Sequence, residues 1–156
     1  QTPLDHRATM LQLLIEDIYP PRQNLRLMQE LSSPRALITV ERAWQRWPDA
    51  TFTLTIGSDL VTQLPRWYQI EDLLRQVKLL IVPRPGYVIT EIDQASLRQV
   101  GASFTVADLE VPAVSSTAYR TEGDPEIVTP PIEAYIHREH LYECQDVENC
   151  LPQPQT

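Results

Sequence analysis

Three short stretches carry residue types that can bind a ligand, each where an α/β sheet would present them. Gly57-Ser58-Asp59 follows directly on Thr51-Phe52-Thr53-Leu54-Thr55-Ile56, in which Thr alternates with apolar side chains at the period-2 spacing of a strand. Gly57 ends that strand and lets a ligand come close to the backbone, and Asp59 can accept from ribose hydroxyls. In open α/β sheets the carboxyl-end rim is where ligands bind. Ser115-Ser116-Thr117-Ala118-Tyr119-Arg120 comes next. A strand leading into it would deliver hydroxyls and free N–H groups at a helix start, where the dipole favours an anion, with Arg120 one turn further on. Trp67-Tyr68 and the loop Pro83-Arg84-Pro85-Gly86-Tyr87 form the third set: a planar heterocycle can stack on the indole, and a guanidinium can lie over a purine or reach its phosphates. Taken singly, each set has an ordinary alternative: a turn glycine with an Asp cap, a Ser/Thr cap with a surface Arg, a core aromatic with a solvated loop Arg.

Other chemistry is weakly signalled. His137 and His140 lie at i, i+3 without a third ligand nearby, so no protein metal site is expected. His6 stands beside Arg7 at a helix start, and Glu139, Glu143, Asp146 and Glu148 form a solvated acidic fringe. There is no Gly-rich dinucleotide fingerprint, Walker loop or nucleophile elbow, and neither Ser115 nor Ser116 has an evident His base.

The elements that must hold these residues can be taken in order. Asp5 is expected to cap a helix with Met10, Leu11, Leu14, Ile15 and Ile18 on one face, stopped by Pro20-Pro21. Thr39 is expected to cap a second, with Val40, Ala43, Trp44 and Trp47 on its stripe. After the 51–56 strand, Ile70, Leu73, Leu74 and Val77 mark another helix. Leu79-Leu80-Ile81-Val82 then reads as a strand covered on both faces. Asp93 is expected to cap a helix that Gly101 ends, and Val106–Val111 to form a strand continuing through Pro112 to Val114. Pro130-Pro131 opens a last helix with Ile132, Tyr135 and Ile136 inward. Helices alternating with strands predict an α/β, three-layer fold with a mostly parallel sheet. Residues 1–142 form the domain, and 143–156 a polar C-terminal tail.

The totals fit one domain. The chain has 156 residues, 42% hydrophobic and 22% charged. A net charge of −8 offers no generic attraction to nucleic acid or an anionic membrane, so any phosphate recognition must be local. No apolar run approaches the roughly 20 residues of a membrane span. Cys144 and Cys150 do not make a disulfide framework, so a cytoplasmic location is expected.

In combination, the order and flanks of these stretches resemble the bacterial nicotinate-nucleotide adenylyltransferase family of the nucleotidyltransferase superfamily. The resemblance lies in Ile56-Gly57-Ser58-Asp59, Leu64-Pro65-x-Trp67, Val82-Pro83-Arg84-Pro85-Gly86-Tyr87 and Val114-Ser115-Ser116-Thr117-x-x-Arg120. His6-Arg7 to Met10-Leu11, Ile127-Val128-Thr129-Pro130 and Tyr135-Ile136 to Leu141-Tyr142 are similar to its flanking helices. The resemblance implies a Rossmann-like sheet and adenylyl transfer from ATP to nicotinate mononucleotide, with Mg2+ accompanying ATP. It implies that Ser116, Thr117 and Arg120 hold the ATP phosphates, with Arg120 the catalytic group, and that Gly57, Asp59 and Arg84 line the adenosine. Trp67 would stack on the nicotinate ring, with the Tyr68 backbone N–H near its carboxylate. A homo-oligomer is compatible with the pattern.

Two departures stand out. The family's Gly-rich first strand with its His-x-Gly-His phosphate loop is missing from this chain, which opens at Gln1 about where the loop after the second strand would end. Where the family has Thr-Ile-Asp-Thr-Leu, this chain reads Ala36-Leu37-Ile38-Thr39-Val40. The competing expectation is a non-catalytic nucleotide-binding or regulatory module of the same fold.

Overall fold

The computed structural model describes residues 2–109, 111–112, 119 and 127–142, and these form two compact units. One comprises residues 28–109 with 111–112, the other residues 2–27 with 119 and 127–142.

The first unit is built on a parallel sheet, as an α/β fold requires. Strands β1 (Phe52–Gly57), β2 (Val77–Val82) and β3 (Phe104–Val106) lie in the order β1-β2-β3. Phe52 pairs with Val77 and Gly57 with Val82, while Leu79 pairs with Phe104 and Ile81 with Val106. Parallel neighbours need crossovers, which helix α3 (Ile70–Gln76) supplies between β1 and β2, and helix α4 (Glu91–Gln99) between β2 and β3. Helix α2 (Ala36–Arg46) precedes β1. All three strands run the same way, so the loops after β1 and β2 share the carboxyl-end rim.

Alternation decides which side of the sheet is packed. Ile56, Val77, Leu79 and Ile81 are buried and form one cluster with Leu37, Val40, Leu64, Leu73, Leu74 and Leu97, whereas Thr53, Thr55 and Lys78 are exposed. Leu80 and Val82 are half-buried, so the run 79–82 is fully covered on one face only. Burying a Leu or Ile of this cluster contributes about 2 kcal/mol each, which makes it the main stabilising term of the unit.

Several element starts differ from the sequence expectation. Thr39 lies inside α2, whose N-cap is Arg35, because helical pairing begins one turn earlier. At α4 the cap is Thr90, and Asp93 closes a reciprocal capping box from the third position. The Thr90 hydroxyl and then its backbone N–H donate to Asp93, holding that carboxyl below its ordinary value. Gly101 takes a left-handed φ of 84° just past α4, as expected of a C-terminal stop. β3 is short. Ala107 N–H still donates to the Ile81 carbonyl at 2.8 Å, β2 ends at Val82 and β3 at Val106; of the expected continuation to Val114, residues 110, 113 and 114 lie outside the described residues.

The second unit pairs helix α1 (Leu4–Asp17) with helix α5 (Pro130–Arg138). Asp5 is not a cap; it sits in the first turn after Pro3, where its charge suits the helix dipole. On α1, His6, Ala8, Met10, Leu13 and Ile15 are half-buried, as is Ile18 at its C-cap, while Leu11 and Leu14 are exposed, so the half-buried positions do not follow the single expected stripe. On α5, Tyr135 and Ile136 are buried. The Tyr135 hydroxyl lies 2.8 Å from His6 Nδ1, and Arg138 lies over its ring. Burial raises the Tyr119 phenol above its ordinary value, with the charge of Glu133 and then Tyr142 adding to it. No helix of the described residues is long and apolar enough to cross a membrane.

Candidate active site

The rim of the sheet brings together Gly57, Ser58, Asp59 and Arg84. β1 ends at Gly57, and residues Ser58–Leu60 turn at once into a short 3-10 segment. Ser58 is buried, and its Oγ accepts from the Arg84 backbone N–H at 2.8 Å, tying the loop after β2 to the end of β1. Arg84 opens a turn closed by Tyr87 N–H donating to its carbonyl at 3.0 Å, with Pro85 second and Gly86 third at φ 83°. That is the arrangement of a type II turn, which needs a residue at ease with positive φ in its third place.

Side chains meet at this corner. Arg84 Nη1 lies 3.5 Å from Asp59 Oδ2, and both groups are partly exposed. A pair of that kind contributes roughly 0–1 kcal/mol, too little to be the reason for the arrangement. Asp59 Oδ1 is buried without a hydrogen-bond partner among the described residues. A Cβ on Gly57 would stand 2.8 Å from Arg84 Cδ and collide with the Asp59 carboxylate, so the absence of a side chain lets the two charged groups approach. An acceptor without a donor beside a guanidinium suits a ligand that offers hydroxyls next to a flat ring. On the other side of Arg84, the 83–89 loop, Gln94, Val106 and Val111 line a cavity of about 670 Å3.

A second pocket, of about 460 Å3, opens on the same unit and is lined by Ser33, Arg35, Thr39, Leu54, Trp67 and Tyr68 among others. Its size falls within the range of small-molecule sites, about 300–1,000 Å3. Trp67 follows the 3-10 turn Leu64–Arg66 and rests half-buried against the core cluster. Gln69 takes a left-handed backbone (φ 46°), so the chain turns directly after Tyr68 into α3. Among the described residues the pocket contains an aromatic wall, a guanidinium and no carboxylate.

The residues singled out from sequence thus divide three ways. Gly57, Asp59 and Arg84 stand together, and Trp67 and Tyr68 share one pocket. Ser116, Thr117 and Arg120 lie outside the described residues, as do Cys144 and Cys150. Of the weaker candidates, His137 stands 3.9 Å from Glu133, and His140 lies beyond the end of α5 with a φ of 50°. Among the described residues no three metal-ligating side chains cluster. Within Gly57-Ser58-Asp59 the sequence assigns Ser58 no separate role, and it does not single out Arg35. Ser58 hides between two residues with clearer roles, and Arg35 follows a Ser-Ser-Pro run that reads as plain loop.

Comparison with known proteins bears on the family and the fold. The cytidylyltransferase-like family matches residues 1–122. A probable nicotinate-nucleotide adenylyltransferase of Synechocystis is 36% identical over 147 residues, spanning 89% of this chain and 72% of that protein. One from Bacillus pumilus is 31% identical over 145 residues, or 88% of this chain and 71% of that protein. Among solved structures, Plasmodium falciparum nicotinic acid mononucleotide adenylyltransferase complexed with APC superposes with a TM-score of 0.72 at 21% identity, covering 90% of this chain and 76% of that one. The same enzyme complexed with NaAD gives 0.73. The likeness of the structures establishes the nucleotidyltransferase fold, and the identities with the curated relatives establish the lineage. The chain belongs to the cytidylyltransferase-like family and, within it, to the nicotinate-nucleotide adenylyltransferases.

Proposed function

We propose that the protein transfers the adenylyl group of ATP to nicotinate mononucleotide, giving deamido-NAD and pyrophosphate, a step of NAD biosynthesis carried out in the cytoplasm. The observation that carries this reading is the presence, in a member of this family, of a rim corner with an unpartnered acceptor (Asp59 Oδ1) and an aromatic pocket on one compact unit. Residues 1–142 would hold the activity and 143–156 form a tail.

The chemistry fits this toolset. The phosphate of the mononucleotide is an anion at neutral pH and attacks the α-phosphorus without a strong base. The new P–O bond forms as the bond to pyrophosphate breaks. Catalysis then rests on in-line positioning and on stabilising the charge spread over the phosphoryl oxygens. Asp59 would accept from the ribose hydroxyls of ATP, and Arg84 would cover the adenine, with Gly57 admitting both. Ser116, Thr117 and Arg120 would hold the phosphates, Arg120 stabilising the charge on the reacting group. Trp67 would stack on the pyridine, with the Tyr68 backbone N–H directed at its carboxylate. Mg2+ is ordinarily held through substrate phosphates and one or two carboxylates, and here it would accompany ATP and share the phosphate charge.

Pyrophosphate release by the complete gene product, with ATP and each candidate acceptor in turn, tests the reading. Release with nicotinate mononucleotide is expected. ATP binding with no release for any acceptor would favour a non-catalytic module, and release only with pantetheine phosphate would move the acceptor assignment.

A prediction follows from the corner itself. Gly57→Ala should force Asp59 and Arg84 apart and weaken ATP binding by about tenfold, equivalent to about 1.4 kcal/mol. Calorimetric titration with an ATP analogue measures it; unchanged affinity would take the corner out of the nucleotide site.

A further inference from the structure

The aromatic pocket contains a charged group that the roles above leave unused. Arg35 precedes α2 at its N-cap position with extended backbone (φ −111°, ψ 116°) and provides no side-chain cap. Its guanidinium carbon lies over the Tyr68 ring, 4.1 Å from the centroid, and both residues line the pocket with Trp67, Thr39 and Ser33. Arg46, Arg75, Arg84 and Arg138 each stand within ion-pair distance of a carboxylate: Glu30, Asp72, Asp59 and Glu139. Among the described residues no ion pair occupies Arg35, and no acidic side chain lines the pocket.

This arrangement has a definite chemical preference. A guanidinium presents its N–H donors in its own plane, so one resting on an aromatic ring keeps a fork available for an acceptor alongside that ring. A carboxylate takes the fork with two oxygens. A carboxamide offers one acceptor oxygen and would set its own NH2 donors against the guanidinium N–H groups. A pyridine ring stacked in this pocket would thus be sorted by the one substituent in which the acid and amide forms differ.

We infer that Arg35 is a specificity residue: it reads the ring carboxylate of the pyridine mononucleotide and disfavours the carboxamide. This rests on the adenylyl-transfer reading above and adds to it a side chain that decides between two acceptors. Calorimetric titration of the complete gene product with nicotinate mononucleotide and nicotinamide mononucleotide, in the wild type, Arg35→Ala and Arg35→Lys, tests it directly. The wild type should bind the acid form at least about tenfold more tightly, given the cost of leaving a charged donor opposite the wrong group. Arg35→Ala should remove most of that preference by loss on the acid form alone, and Arg35→Lys should keep part of it. An Arg35→Ala protein that loses both ligands equally, or that discriminates as before, overturns the assignment while leaving adenylyl transfer intact. A wild type that binds neither mononucleotide overturns both.

Discussion

Arg120→Ala should lower adenylyl-transfer turnover by roughly two to three orders of magnitude, the loss typical when one preorganised donor to a reacting oxyanion is removed. The reasoning is electrostatic. ATP brings several negative charges to a chain whose own net charge is −8, so attraction must come from a few placed groups. Arg120, three residues after Thr117 in the Ser115-Ser116-Thr117-x-x-Arg120 stretch, is the strongest candidate for such a group in this chain's sequence, and its fork matches phosphate geometry in a way a lysine does not. Arg120→Lys should therefore recover only part of the rate. Single-turnover kinetics with saturating ATP separate this from loss of binding. An unchanged rate and an unchanged ATP dissociation constant would remove Arg120 from the site.

Trp67→Ala should raise the KM for nicotinate mononucleotide by about tenfold or more while ATP affinity stays nearly constant, since stacking one ring on an aromatic side chain contributes about 1–3 kcal/mol. Trp67 lies in the aromatic pocket, and neither Asp59 nor Arg84 lines it. The complication is packing: Trp67 is half-buried and touches the core cluster, so truncation also removes apolar contact. Trp67→Phe keeps a stacking face and should restore much of the affinity. Equal weakening of ATP and mononucleotide would mark Trp67 as a structural residue.

Much of this could be read from sequence for identifiable reasons. β1 announces itself because one face packs and the other does not, leaving Thr and apolar residues in strict alternation. The run 83–87 reads as an ordered loop because Pro85-Gly86 has few turn geometries open to it, and the type II turn is one of them. Helix starts were harder. Thr39 and Asp93 both resemble caps, yet the helix at 36–46 begins without a side-chain cap and the one at 91–99 is capped by Thr90. The local signal gives the right helix and the wrong turn. Val106–Val111 looks apolar enough for a longer strand, yet β3 ends at Val106, close to where β2 ends at Val82. Arg35 is illegible in the sequence because its partner, Tyr68, is over 30 residues distant, and only folding puts the two together.

At the centre stands the claim that a dinucleotide lies on the unit built from residues 28–112, with its adenosine at the Gly57–Asp59–Arg84 corner and its pyridine in the Trp67–Tyr68 pocket. The most direct measurement is a crystal structure of the complete gene product with deamido-NAD. The expected result has a ribose hydroxyl donating to Asp59 Oδ1 and the nicotinate ring against Trp67. A dinucleotide bound away from both places, or with its two ends exchanged, would contradict the account.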